Sequence, residues 1–142
     1  KNIYGQPLQP CSKTGMAMTG YTRNGECTRE EGDIGSHHVC VNISMDSLSG
    51  GNFCEKTGQP NWCSEKMPCH GNAEEMCPIE NWCVCEWAFS SYINNAGGCD
   101  RIADVDCEAT NMQTLKNYES QAASSPEVAE ALQCLRKKCN LE

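Results

Sequence analysis

Large apolar side chains are scarce in this sequence. It has two phenylalanines, few isoleucines, leucines and valines, and no apolar run near the roughly 18 residues of a membrane-crossing helix. Positive charge is scarce too: 11 Lys and Arg stand against 19 Asp and Glu, for a net charge of −8. That balance argues against nucleic acid and anionic membrane surfaces, both of which call for clustered cations. The one basic run, Arg136-Lys137-Lys138, reads as cations at a helix C-terminus. No Cys-x-x-Cys pair occurs, so the usual ligand spacing of a zinc ribbon is missing. A nucleophile elbow is missing as well. The acidic residues Asp100, Asp104, Asp106 and Glu108 lack the tight Asp-x-Asp-x-Asp-Gly order of a calcium loop and read as a solvated face.

What the chain has is cysteine, 13 in 142 residues, or about 9%, the range of a disulfide scaffold. Setting the cysteines aside leaves only about 30% apolar residues, a thin core against an ordering cost of roughly 1–2 kcal/mol per residue. Disulfides at about 2–4 kcal/mol each offset part of that cost. They imply an oxidising compartment, with a targeting segment expected to have been removed. The candidates are Cys11, Cys27, Cys40, Cys54, Cys63, Cys69, Cys77, Cys83, Cys85, Cys99, Cys107, Cys134 and Cys139. Thirteen is odd, so one thiol is left without a partner in the chain.

The stretch Asn81-Trp82-Cys83-Val84-Cys85-Glu86-Trp87 divides the chain. As a strand it sends Cys83 and Cys85 to one face and Trp82 and Val84 to the other. One face then fills a core and the other anchors sulfurs, with Trp82, Val84, Trp87 and Phe89 as core residues. Before it, glycines and prolines break residues 1–43 into turns. Arg23-Asn24-Gly25-Glu26 is a hairpin candidate, Val39–Ile43 a strand, and Ser44–Leu48 one helical turn. Residues 50–80, with Cys54, Cys63, Cys69 and Cys77, have almost no periodicity and read as a loop module ordered by local cross-links. After it, Trp87–Asn95 is helical with Gly97-Gly98 as its C-cap. Val105–Ala109 alternates like a strand. Thr110-Asn111-Met112-Gln113 has the form of a capping box, opening a helix with Met112, Leu115 and Tyr118 on one side. Ser125-Pro126 opens a last helix, whose Cys134 and Cys139 diverge by about 140° and so tie it to different parts of the body.

Several of these residues resemble one family. Asn2, Gly5, Pro7-Leu8, Cys11-Ser12, Thr19-Gly20-Tyr21, Arg23-Asn24-Gly25-x-Cys27, Asp33-x-Gly35-x-His37-x-Val39-Cys40, Trp82-Cys83-Val84-Cys85 and Glu108-Ala109-Thr110 are similar in order and spacing to DUF2237, small uncharacterised proteins of bacteria and photosynthetic eukaryotes. The resemblance covers residues 2–48 and 80–115 and brings no reaction with it. The family pattern carries His where this chain has Asn111, so a functional pair with His37 would be half lost. Five cysteines match family positions: Cys11, Cys27, Cys40, Cys83 and Cys85. The other eight imply four added bridges, which leaves the odd thiol among the family five.

The expected architecture is a single α+β domain over 1–142, small and disulfide-stapled. It has short strands, a Cys-rich loop module and two C-terminal helices. Residues 1–49 and 80–121 form the family-like core, 50–79 the Cys-rich insertion, and 124–140 the C-terminal helix. The expected function is non-enzymatic: an interaction or structural subunit without a cofactor, bound peripherally to a larger protein assembly without spanning a membrane itself. The family's distribution implies one version of it, a subunit in the thylakoid lumen on a photosynthetic membrane complex, and a secreted extracellular protein fits the cysteines equally. Trp62, Met67 and Met76 in the insertion are its expected partner contacts. The alternative is a zinc or thiol-redox protein using His37, Cys40, Cys83 and Cys85, a Cys₃His set with Cys83-x-Cys85 ahead of a helix. Against a reactive thiol, Glu86 next door disfavours the thiolate. For hydrolysis, Ser12, Ser36 and Ser44 are available hydroxyls without a motif. His37 and His38 fall on opposite sides of an extended chain, and His70 reads as an exposed loop residue. Asn42-Ile43-Ser44 is a glycosylation sequon beside a strand.

Overall fold

The computed structural model describes residues 1–141. In chain order the elements are β1 (His37–Asn42), α1 (Phe53–Lys56), β2 (Lys66–Cys69), β3 (Asn72–Pro78), β4 (Asn81–Cys85), α2 (Glu86–Ala96), α3 (Gln113–Gln121) and α4 (Pro126–Lys138). The result is a mixed α+β domain with two antiparallel two-stranded sheets, β1 with β4 and β2 with β3.

The β1–β4 pair is the centre. Its register sets Val39 opposite Val84, Cys40 opposite Cys83 and Val41 opposite Trp82. Alternation then sorts the two faces. Val39, Val41, Trp82 and Val84 join the main core, with Phe53, Phe89, Tyr92, Ile93, Tyr118 and Leu135. Cys40 and Cys83 join a separate small core with Cys11, Cys27 and Ala109. The sequence pattern thus places one face on hydrocarbon and the other on sulfur. Trp87 is only half-buried and stacks edge-on against Tyr118 at 6.1 Å.

The six bridges are Cys11–Cys40, Cys27–Cys83, Cys54–Cys63, Cys69–Cys77, Cys99–Cys134 and Cys107–Cys139. The eight cysteines outside the family pattern pair among themselves, and Cys85 is the free thiol. Within the insertion both bridges are local, with separations of 9 and 8 residues. This segment has more regular structure than its lack of periodicity implied. Asn52 forms a reciprocal capping box with Glu55 to start α1, and Cys69–Cys77 closes the β2–β3 hairpin.

α2 ends as expected. Gly97 is left-handed at φ 96°, and Gly98 N donates to Ile93 O. Ser125 caps α4 at Val128 N with Pro126 in the first turn. α4 lies across α2 and α3, and Cys134 and Cys139 fasten it at two different points.

Four expectations fail locally. No hairpin forms at Asn24-Gly25, because Gly25 N donates back to Thr19 O and its carbonyl accepts from Cys11 N, closing a loop instead of a ladder. Ser44–Leu48 is not helical. The Asn42 carbonyl oxygen of the side chain accepts from Ser44 N and Met45 N and turns the chain there. Of Val105–Ala109, only Val105 bridges, to Val41, and Cys107–Ala109 coils into a 3-10 turn. Thr110 does not cap α3. Its buried hydroxyl accepts from Cys40 N and donates to Asp106 O, and Asn111 Oδ1 accepts from Gln113 N instead.

Candidate functional site

The aromatic residues of the insertion close down on the central sheet. Trp62, in a 3-10 turn (Trp62–Ser64), meets Trp82 of β4 edge-on with ring centroids 5.6 Å apart. Its indole N–H donates to Gln59 Oε1, which fixes the ring. The Arg23 guanidinium lies over the Trp82 ring at 5.0 Å, within reach of a cation–π attraction. Arg23 holds a left-handed backbone, φ 58°, and its Nη1 donates to Gly20 O. The loop that failed to become a hairpin is therefore what aims this cation at the tryptophan.

Two cavities open on this surface. One, of about 380 Å³, is lined by Tyr21, Arg23, His37, Trp62, Met67 and Trp82. The other, of about 470 Å³, is lined by Met18, Arg23, Met67, Pro68, Asn72 and Ala73. They adjoin at Arg23 and Met67, which line both, and the two together are termed the groove, with those two residues as its waist. Both volumes lie in the range of ligand-sized clefts, roughly 300–1,000 Å³. Among the described residues no Asp or Glu lines either cavity, although the chain has 19. Of the expected contact residues, Trp62 and Met67 meet in this groove. Met76 lies apart, on the outer strand of the hairpin, and is 58% exposed.

Behind Tyr21 the groove ends at His37, whose ring stacks with that of Tyr21 at 6.0 Å. His37 Nδ1 lies 2.6 Å from Asp33 Oδ1, and His37 N donates to Asp33 Oδ2. Burial raises the Asp33 carboxyl, but the hydrogen bonds from the His37 backbone and ring, with the charges of His37 and His38, outweigh it. The net result lies below the ordinary value of 3.8. The β1–β4 register slips between His37 and Val39. The two histidines take different partners, His37 on Asp33 and His38 on Glu86.

His38 has its own carboxylate. Its Nδ1 lies 2.6 Å from Glu86 Oε2, and both side chains are buried. Asn117 Nδ2 donates to the other Glu86 oxygen, and the Tyr118 hydroxyl to the Glu86 carbonyl. This is a closed polar network at the start of α2. The Tyr118 hydroxyl is pushed well above its ordinary value by burial, then by the charges of Glu86 and Cys85.

The zinc or redox set does not come together as thiols. Cys40 and Cys83 face each other across the sheet, but each is oxidised, to Cys11 and Cys27. The sulfurs of Cys11, Cys27 and Cys83 lie within 4.8 Å of one another, and as disulfides they offer no thiolate to a metal. Cys85 stands opposite His37 at the N-cap of α2. Asn111 donates from Nδ2 to Cys27 O and from N to His38 O, so the position that carries His in the family pattern braces the sheet here.

His70 is not an exposed loop residue. The β2–β3 turn folds back, and its Nδ1 lies 3.0 Å from Ser12 Oγ. Gly25 permits that approach, since a Cβ there would sit 2.8 Å from His70 Cε1. Ser12 is fully buried and its Oγ also accepts from Thr19 N, which makes it a brace for the loop that carries Arg23. Of the acidic face, Asp106 pairs with Lys13 and Asp100 with Lys137. The groove and its arginine were not read from the sequence. The available signal was the pairing of an Asn-Gly loop with an aromatic strand, and it does not reveal that the two meet.

No helix among the described residues is long and apolar enough to cross a membrane. No curated protein matches the sequence. The model of an uncharacterized protein family conserved in bacteria, DUF2237, matches residues 1–125, and the chain belongs to that family.

Proposed function

We propose that this domain is a non-catalytic interaction subunit, held rigid by its bridges, that docks on a larger protein assembly through the groove between the insertion and the central sheet. The observation that carries the reading is the Trp62–Trp82–Met67 surface. Trp62 and Met67 are only partly enclosed by the chain itself, Trp82 lies buried beneath them, and all three border cavities of docking size. Tryptophan and arginine side by side in a concave site are the residue types that dominate binding energy at interfaces. Six disulfides suit an oxidising compartment. The more specific version is a peripheral subunit on the lumenal side of a photosynthetic membrane complex, supported by the acidic, cysteine-rich composition. The rigid frame keeps the groove preformed, which lowers the ordering cost of association.

Trp62→Ala tests this reading. Trp62 sits at the edge of the core and not inside it, so the variant should fold and keep all six bridges. A tagged copy expressed in the native source should recover the assembly with the wild-type groove and lose most of it with Trp62→Ala. Equal recovery of the assembly by the two proteins would refute the groove as the docking site.

A further inference from the structure

We infer that the groove's occupant is an extended segment of a partner protein carrying an internal Asp or Glu that pairs with Arg23, flanked on both sides by apolar residues. This rests on the docking reading above and names the chemistry of its partner.

Three observations converge. First, the groove is electrostatically unlike the rest of the molecule. The chain carries −8, yet the described residues lining the two cavities include no carboxylate, and Arg23 is the one fully charged side chain among them. Second, among the described residues Arg23 forms no ion pair. Its one hydrogen bond is from Nη1 to Gly20 O, so most of its fork of N–H donors is left for a ligand. Its guanidinium carbon lies over the Trp82 ring at 5.0 Å, a cation–π contact that draws the exposed side chain toward the groove, and the planar fork of an arginine suits a carboxylate. Third, Arg23 stands at the waist, lining both cavities. A C-terminal carboxylate held there would leave one cavity empty. A side-chain carboxylate lets the partner's backbone run on in both directions. One apolar residue then enters the space bordered by Tyr21, Trp62 and Trp82, and another the space bordered by Met18, Pro68 and Ala73. Bound in this way the carboxylate is partly desolvated, and a charge-assisted hydrogen bond is stronger there than at an open surface.

The test is selection of random dodecapeptides displayed on phage against the intact, oxidised protein, followed by affinity measurements on the enriched peptides made synthetically. The expected outcome is enrichment of Asp or Glu between apolar residues. Binding should weaken about tenfold or more in Arg23→Gln, the size of a charge-assisted hydrogen bond, and equally when the peptide's acid is replaced by its amide. Arg23→Lys, which keeps the charge and loses the fork, should fall between. Near-ultraviolet circular dichroism unchanged from wild type establishes that both variants are folded. Peptides that lose affinity for Trp62→Ala but carry no acid, and bind Arg23→Gln as well as wild type, overturn the carboxylate inference and leave the docking groove standing. Selected peptides that bind Trp62→Ala undiminished, or a selection that yields no binder, overturn the groove itself and the inference with it.

Discussion

Glu86 shows how much one buried residue organises. It is the first residue of α2 and fully buried, and its carboxylate accepts from His38 on β1 and from Asn117 on α3. A carboxylate in that position survives only because each oxygen is satisfied. Glu86→Ala strands the His38 ring and the Asn117 amide without their acceptor. Removing one member of such a buried set costs about 3–5 kcal/mol, to be read as a lower urea midpoint at unchanged slope. Asp33 gives a pH-dependent counterpart. Its folded-state value is depressed, so its contribution to stability is full above the ordinary 3.8 and is lost as pH falls through the lower folded-state value. Wild-type stability should therefore decline more steeply with acid below pH 3.8 than that of Asp33→Asn, in denaturant melts taken across that range. Neither pairing is legible in the sequence. His38 and Glu86 are 48 residues apart, and only the strand register brings them together.

At the scale of elements, the sequence was informative where local rules act unopposed. The alternation of β4, the glycine stop of α2 and the Ser-Pro start of α4 all act within a turn or two, and each forms as read. It misled where a long-range partner claimed the same groups. Thr110 has a capping side chain, but the buried Cys40 N and the half-buried Asp106 O claim it. Val105–Ala109 alternates, but Cys107 has to turn toward Cys139 on α4. The bridges also differ by element in what they constrain. Cys54–Cys63 closes a 9-residue separation within the insertion, and Cys99–Cys134 a 35-residue separation that holds α4 down. In the chain-entropy account the longer closure stabilises by about 3–4 kcal/mol and the shorter by about 2.5–3. Paired Cys→Ser replacement should therefore destabilise the protein more at Cys99 and Cys134 than at Cys54 and Cys63. The same denaturant melts check the order. The reverse order would mean that the insertion's packing, and not loop closure, sets the cost.

The whole molecule has a hydrocarbon core too small to be its only support, and a second core made of sulfur. Cys11–Cys40 and Cys27–Cys83 lie fully enclosed under the sheet, where a larger domain would place leucines. These two bridges join residues 29 and 56 apart, drawing the N-terminal turns onto β1 and β4. The loop that presents Arg23 is strung between Cys11 and Cys27, so the shape of the groove depends on the same two bridges. Accessibility and oxidation state thus become linked at the level of the fold. In the native oxidised protein, alkylation without reduction should add one group by intact mass, at the half-buried Cys85. Brief mild reductant should open Cys69–Cys77, Cys99–Cys134 and Cys107–Cys139, each with one half-buried cysteine, before the buried bridges, Cys54–Cys63 among them, so partial reduction should leave peptide binding at the groove intact until Cys11–Cys40 or Cys27–Cys83 is lost. Mapping alkylated cysteines by mass spectrometry against residual binding orders these events. Loss of binding while Cys11–Cys40 and Cys27–Cys83 are still closed would show that the groove owes its form to the insertion's own cross-links and not to the sulfur core beneath it.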